Sequence, residues 1–334
     1  MLSGLQIGKA YQDAPIFFNP GIIYQLWKQQ TDVIIFGGWQ HFTYWLALVY
    51  TEVMGVRLLI WSESTLKDER SASKLKDKLK RWIVSKADGY IVPGKAQKDY
   101  LLYLGAKNER IWVAPNAVDT DFFTSKTELY RQDRETLKQK LNLNGIVILS
   151  VGRLIDEKGI PELLAAFAQL KTNQLVTLVI VGDGSQSEEY QHYCQQKQLN
   201  NVVFSGFQNQ NTLVQYYAIA DIFVFPTRTD PWGLVLNEAM SASLPIVCSS
   251  SAGAVDDLIE DGGNGFIFSV GNVTLLAEAL QRLVDDEDLR KRMGMRSHEI
   301  ILNYTPQIMA QGLQEAIVDD KLSNINKSKF ISLH

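Results

Sequence analysis

Short, wholly apolar runs alternate with helix-length amphipathic stretches along most of the chain. In the second half, Ile146–Val151, Leu175–Val181, Val202–Phe204, Ile222–Phe225 and Ile246–Cys248 are continuous runs of strand length. Helical spacing separates them, as over Pro161–Leu170 and Glu188–Lys197. Strands that are apolar on both faces and followed by helices predict a parallel sheet with crossover helices. Right-handed crossovers then gather every strand-to-helix turn at one edge of the sheet, where open α/β sheets take their ligands.

The first half repeats the rhythm with fewer beats. Asp32–Phe36, Val56–Trp61, Gly89–Val92 and Ile111–Val113 read as strands, with helices over Phe42–Met54, Ala72–Lys86 and Lys95–Leu104. Residues 1–20 supply no strand–turn–helix opening, so the first domain is expected to be truncated at its N-terminus. Ser125, Lys126, Thr127, Asp133 and Asn142 dilute the apolar signal and place a linker there. After Phe268 the chain reads as helical, and Tyr304-Thr305-Pro306 restarts a last helix. The expected division is therefore 1–135, 136–304 and a C-terminal helix with tail over 305–334.

Composition narrows the classes. A length of 334 residues fits two domains, and 46% hydrophobic with 21% charged residues is ordinary globular content. Two cysteines, Cys194 and Cys248, cannot staple such a chain, which points to a reducing cytosol. No basic segment and apolar run follow Met1, so no secretory signal is expected. Trp45–Trp61 is the most apolar stretch, but Glu52, Arg57 and Gly55 interrupt it, and it is too short for a membrane span.

The net charge of −4 hides an asymmetry: residues 1–145 hold 20 Lys+Arg against 15 Asp+Glu, and the remainder 13 against 22. Two modules with different partners are the natural reading. Nucleic acid is not expected as one of them, since the overall balance is acidic and no binding motif for it is present.

Candidate chemistry concentrates in two turns. Asp230-Pro231-Trp232-Gly233-Leu234-Val235 follows the strand Ile222–Phe225 and opens a helix at the ligand edge. Free N–H groups and the helix dipole make such a start attractive to phosphate. Glu238 lies about one turn in, and its helical neighbours Leu234, Val235, Ser241 and Ala242 offer no cation. It is either a solvated helix residue or a carboxylate awaiting donors such as ribose hydroxyls. Asp230 followed by Pro231 also matches an N-cap and N1 pair.

The second turn, Gly152-Arg153-Leu154-Ile155-Asp156-Glu157-Lys158-Gly159, follows Ile146–Val151 and brings two cations to the same edge. A planar guanidinium fork and a point-charge ammonium both suit a diphosphate, and Gly152 permits close backbone approach. The alternative is a surface turn in which Arg153 pairs with Asp156 or Glu157. Gly182-Asp183-Gly184 imitates a dinucleotide fingerprint, but Ser187 replaces the third glycine and no acid ends the next strand. Phe207 follows that strand, as a platform for a nucleobase or as a core aromatic.

Taken together, Gly-Arg-Leu…Glu-Lys-Gly at 152–159, Asp183-Gly184, Gly206-Phe207, Asp230…Glu238 and Ala254–Phe266 resemble the donor half of the family 4 glycosyltransferases. Pro115-Asn116-Ala117-Val118-Asp119 resembles the segment by which that family leaves its first domain. The resemblance implies an α/β fold of two facing Rossmann-like domains (GT-B), the first incomplete here, with a last helix crossing back. It implies a retaining transfer from a nucleotide diphosphate sugar without a bound metal or other cofactor, in polysaccharide or glycolipid synthesis. It assigns Arg153 and Lys158 to the diphosphate, Glu238 to the ribose and Asp230 to the transferred sugar. Gly152, Gly182, Asp183, Phe207, Trp232, Gly233, Leu234 and Val235 complete the implied donor site. The family usually carries Glu where this chain has Asp230, which shortens the reach by one methylene.

On the acceptor side, the family often carries a His after the strand equivalent to Val56–Trp61, whereas this chain has Ser62-Glu63-Ser64-Thr65. Glu63 is then a candidate for the acceptor or the reacting sugar, or else caps the next turn. Gly37-Gly38-Trp39-Gln40-His41 is the other candidate turn, with His41 catalytic or structural. Asn116 is placed on this side too. The implied acceptor is a carbohydrate or lipid-linked molecule. Residues 73–86 interleave lysines with Leu75, Leu79, Trp82 and Ile83, either as a peripheral contact with the inner face of a membrane or as a solvated helix face. A nucleotide-sugar epimerase or hydrolase of the same fold, and an inactive nucleotide-sugar-binding protein, are the competing functions.

Overall fold

The computed structural model describes residues 5–7, 16–38, 42–68 and 74–319. The chain divides into two compact units, one running to Pro115 and resuming at Met309, the other Asn116–Ile308.

In the first unit, β1 (Leu5–Ile7) and β2 (Ile16–Phe18) pair antiparallel, and α1 (Ile22–Gln29) follows. Then come β3 (Val33–Phe36), α2 (Phe42–Met54), β4 (Arg57–Trp61), α3 (Lys74–Lys86), β5 (Gly89–Val92), α4 (Lys95–Leu104) and β6 (Ile111–Val113). These four later strands form one parallel sheet in chain order, β3-β4-β5-β6. Alternation explains why β5, and β4 after Arg57, are apolar. Leu58, Ile60, Tyr90 and Val92 pack with Leu48, Val84 and Leu101 on one face. Leu59 and Ile91 face the other way, against Ala316, Met309 and Leu313 of the last helix.

The second unit opens with α5 (Thr120–Arg131) and α6 (Arg134–Lys140), in the stretch where the diluted apolar signal placed a linker. The division falls at residues 115 and 116, not near 135, because α5 and α6 are anchored on this unit. Arg134 bridges Asp221 at 2.7 Å and the Ile219 carbonyl at 2.8 Å, while Thr124 donates to the Ser241 carbonyl at 3.0 Å. The sheet elements follow: β7 (Ile146–Val151), α7 (Ile160–Phe167), β8 (Val176–Val181), α8 (Ser187–Gln196), β9 (Val202–Phe204), α9 (Gln210–Ile219) and β10 (Ile222–Phe225). Beyond them lie α10 (Leu234–Ser241), β11 (Ile246–Ser249), α11 (Val255–Leu258), β12 (Gly265–Phe268), α12 (Val273–Asp285) and α13 (Glu287–Ile301).

Six parallel strands run in the order β12-β11-β10-β7-β8-β9, so β7 and β10 are central neighbours and the chain reverses direction across the sheet between them. Val147, Leu149 and Val151 of β7 join one core with α9 and α10 residues, and Ile146 and Ile148 join the opposite core with α7 and α12 residues. Strand β12 is the one member of this six-stranded sheet absent from the strands expected of the sequence; its four residues Gly265–Phe268 follow directly on the glycine-rich turn Gly262-Gly263-Asn264. The last helix, α14 (Pro306–Val318), starts at the expected proline. Arg57 caps it by donating to the Ala316 and Ile317 carbonyls at 2.7 and 2.6 Å.

Candidate functional site

Where an open parallel sheet reverses strand order, the turns on either side diverge and leave a crevice at the carboxyl ends of the strands. In the second unit that place lies between β7 and β10, and the turns after them are 152–159 and 226–233. Both are the turns that the sequence singled out. The turn after β8 packs directly onto the first of them: Gly182 has φ +140°, and a Cβ there would lie 1.8 Å from the Gly152 carbonyl oxygen. The close approach expected at Gly152 is thus made possible by Gly182. A Cβ on Gly152 itself would meet nothing nearer than the Lys158 side chain at 4.0 Å.

Arg153 is exposed and has no side-chain hydrogen bond or ion pair among the described residues. Its expected surface partner Asp156 stands 3.7 Å from Arg228 instead. Lys158, only 14% exposed, donates to Oδ2 of Asp230, itself 16% exposed, and lies over the Phe225 ring at 5.7 Å. The other oxygen of Asp230 accepts the Trp232 N–H at 3.0 Å. Asp230 therefore closes an Asx-type turn and is not the N-cap of the helix, which begins four residues later.

Gly233 is the N-cap of α10, at φ +96°, with no side chain capping the first turn. A Cβ there would fall 2.7 Å from the Phe225 ring, so the position needs glycine for backbone and for space. Leu236 N–H returns to the Gly233 carbonyl at 2.8 Å, which leaves those of Leu234 and Val235 as uncapped first-turn donors. These N–H groups, Arg153 and Lys158 all belong to the two turns flanking the reversal point.

Glu238 is no solvated helix residue. Burial lifts its carboxyl to about 7, against the opposing effect of the hydroxyl of Tyr217, which donates to Oε2 at 2.7 Å. Its other oxygen has no hydrogen-bond partner among the described residues. The sequence offered no sign of Tyr217, because the two residues meet only when α9 and α10 pack on the same face of the sheet.

Phe207 is 78% exposed at the carboxyl end of β9, which removes the core-aromatic alternative. Trp232 goes the other way: its ring is buried, and its indole N–H donates to Asn237 Oδ1 at 2.9 Å. Asn237 in turn donates to the Asn116 carbonyl at 2.9 Å. Asn116 therefore stands in the second unit, against the helix that carries Glu238, and not among the turns of the first. Asp183 is exposed, and its carbonyl accepts the Leu154 N–H at 2.9 Å, tying the turns after β7 and β8 together.

In the first unit, Gly37 and Gly38 follow β3, and Ser62 and Glu63 follow β4. Ser62 is buried, and its hydroxyl lacks a hydrogen-bond partner among the described residues. Glu63 is exposed and has no partner among the described residues; the next turn is held instead by Thr65 Oγ1, which accepts the Lys67 N–H at 3.2 Å. His41, with Trp39 and Gln40, lies outside the described residues. Among the described residues no three His, Cys, Asp or Glu side chains gather as metal ligands, and no helix is long and apolar enough to cross a membrane.

Two family models match. Glycosyl transferases group 1 covers residues 133–299, half of the chain, and Glycosyltransferase Family 4 covers 11–122. The capsular polysaccharide biosynthesis glycosyltransferase CapM of Staphylococcus aureus is 28% identical over 213 residues, 63% of this chain and 55% of that protein. An alpha-monoglucosyldiacylglycerol synthase of Streptococcus pneumoniae is 25% identical over 259 residues, 72% of this chain and 57% of that one. The chain thus spans little more than half the length of these relatives. Among solved structures, Anabaena HepE in complex with UDP superposes with a TM-score of 0.74 at 21% identity, over 89% of this chain and 80% of that one.

Proposed function

The chain belongs to the group 1 glycosyltransferases, with the GT-B fold, and from that membership we propose that it moves a sugar from a nucleotide diphosphate sugar to a carbohydrate or lipid-linked acceptor, with retention of the anomeric configuration. The observation that carries this reading is that Arg153, Lys158 and the uncapped start of α10 belong to the two turns flanking the reversal point of one sheet, with Glu238 one turn further in.

Transfer leaves negative charge on the departing diphosphate, and preorganised donors aimed at that charge lower the barrier without reorganising during the step. Arg153 and Lys158 supply cations for this, and the Leu234 and Val235 N–H groups supply dipoles. They take the part that a metal ion plays elsewhere, so neither a metal nor another cofactor is needed. Glu238, with one oxygen held by Tyr217, offers the other to ribose hydroxyls, and exposed Phe207 offers a face to the base. Asp230 serves the hydroxyls of the transferred sugar once the diphosphate has drawn Lys158 away. Gly37, Gly38, Ser62 and Glu63 are the acceptor-side candidates of the first unit, with His41. HepE was solved with UDP, which makes uridine diphosphate sugars the first donors to try.

Polysaccharide or glycolipid assembly fits the named relatives. A lipid-linked acceptor would bring the exposed Leu75, Leu79 and Trp82 of α3, beside Lys76 and Lys78, to an anionic inner membrane face. The test is product analysis with UDP-, GDP- and ADP-sugars against oligosaccharide and diacylglycerol acceptors. Glycosylated acceptor with the donor's anomeric configuration is expected. Donor consumed without acceptor would mark a hydrolase or epimerase, and tight nucleotide binding without any turnover an inactive binding protein.

A further inference from the structure

Glu238 is largely withdrawn from water, with no cation paired to it among the described residues. What it has is one hydroxyl. Tyr217 is fully buried on α9, and its ring is clamped by Phe123 of α5, edge-on at 5.9 Å, and by Phe223 of β10 at 6.0 Å. A ring gripped by two elements has little freedom to turn, so the direction of its O–H is set by the core and not by solvent. That hydroxyl ends 2.7 Å from Glu238 Oε2.

We infer that Tyr217 is a positioning residue for Glu238: it fixes one carboxylate oxygen so that the other is presented, in one orientation, to the ribose hydroxyls of the donor. The inference rests on the reading of Glu238 as the ribose-side carboxylate, and deepens it. Three observations support it. The bond uses one oxygen and leaves its twin without a partner among the described residues. Burial pushes the Tyr217 hydroxyl well above its ordinary 10, so it remains a donor wherever Glu238 is ionised. And α10 packs against α5, α13 and β11, yet no charged group of those elements perturbs Glu238, whose carboxyl is governed by burial and by the Tyr217 hydroxyl. A carboxylate in so apolar a place would otherwise be both protonated and free to rotate about its last torsion, and either change would cost ribose bonds.

The experiment is calorimetric titration of UDP, GDP and ADP into the wild-type chain, Tyr217→Phe, Glu238→Ala and a chain with 3-fluorotyrosine at 217. It is run from about pH 5.5 to about pH 8.5, beside carbon-13 titration of the Glu238 carboxyl in each unliganded protein that retains it. Tyr217→Phe keeps both ring contacts. It is expected to weaken nucleotide binding about tenfold near neutral pH and to move the Glu238 midpoint upward. Fluorotyrosine, a stronger donor, moves the midpoint downward with little change of shape, and stands in if the Phe variant does not fold. A purely structural tyrosine would change stability and leave the midpoint alone. Unchanged midpoints, or a shifted midpoint with wild-type affinity, overturn the inference. Nucleotide binding that survives in Glu238→Ala overturns the assignment of Glu238 itself, a separate result.

Discussion

Lys158 and Asp230, 72 positions apart in sequence, hold each other across the two turns of the candidate site, with both side chains mostly withdrawn from water. The cation proposed for the diphosphate and the acid proposed for the transferred sugar are thus engaged with one another. Asp230→Asn should therefore have a split effect. The amide still accepts the Trp232 N–H, but its hold on the ammonium is weakened. UDP affinity is expected to rise by a few fold, about 0.5–1 kcal/mol, while sugar transfer falls. Calorimetry with UDP and a product assay check the two arms. Lys158→Ala should weaken UDP and also leave a buried carboxylate short of a partner, at about 1–3 kcal/mol of stability.

Glu238 carries a stability cost above neutral pH. Its folded-state carboxyl titrates near 7, against an ordinary 4.5, so across that window the native state binds more protons than the unfolded chain and stability falls as pH rises. Glu238→Gln keeps an acceptor for Tyr217 and removes the charge. It should gain on the order of 2 kcal/mol above neutral pH and almost nothing near pH 4, while losing nucleotide binding. Thermal melts at the two pH values check it. Equal shifts at both would mean that the carboxyl is not raised.

Arg57 should govern the end of α14. Its guanidinium is desolvated, which lowers its pKa, and donates to the Ala316 and Ile317 carbonyls. Arg57→Ala is expected to cost about 1–2 kcal/mol and to speed amide exchange over residues 313–318 ahead of the β4 and β5 amides. Gly312→Ala should fray the same helix by another route, because a Cβ there would fall 2.2 Å from the Val113 carbonyl oxygen.

For the membrane reading, the lysines that matter are Lys76 and Lys78, both exposed. Lys80 is occupied, donating to the Tyr100 hydroxyl at 2.9 Å. Replacing Lys76 and Lys78 with Glu should cut pelleting with phosphatidylglycerol vesicles severalfold, at about 1 kcal/mol per charge near the surface. An unaltered pelleted fraction would leave α3 as a solvated face.

Much of this was legible in the sequence. Short, mostly apolar runs bounded by turn residues and alternating with helix-length stretches read as strands of a parallel sheet, which is why β3 to β6 and β7 to β11 could be placed within a residue or two. The turns after β7 and β10 were legible because glycine and charge punctuate them. Contacts between distant segments were not. Trp232 in the run Asp-Pro-Trp-Gly looked like a site residue, yet Asn237 and the Asn116 carbonyl draw it inward. Local spacing correctly denied Glu238 a cation but gave no sign of a phenol 21 positions upstream. The helices α5 and α6 looked like a linker because their few apolar positions, such as Phe123, cover α9 and not a sheet of their own.

Because the six strands of the second unit all point the same way, their starts form a rim on the far side from the turns that follow β7, β8 and β10. Asn200, exposed just ahead of β9, belongs to that rim, while Phe207 ends the same strand's path at the opposite one. A dye attached at 200 would ride along as a silent tag for tracking or immobilising the molecule, and one attached at 207 would brighten or dim with each occupant.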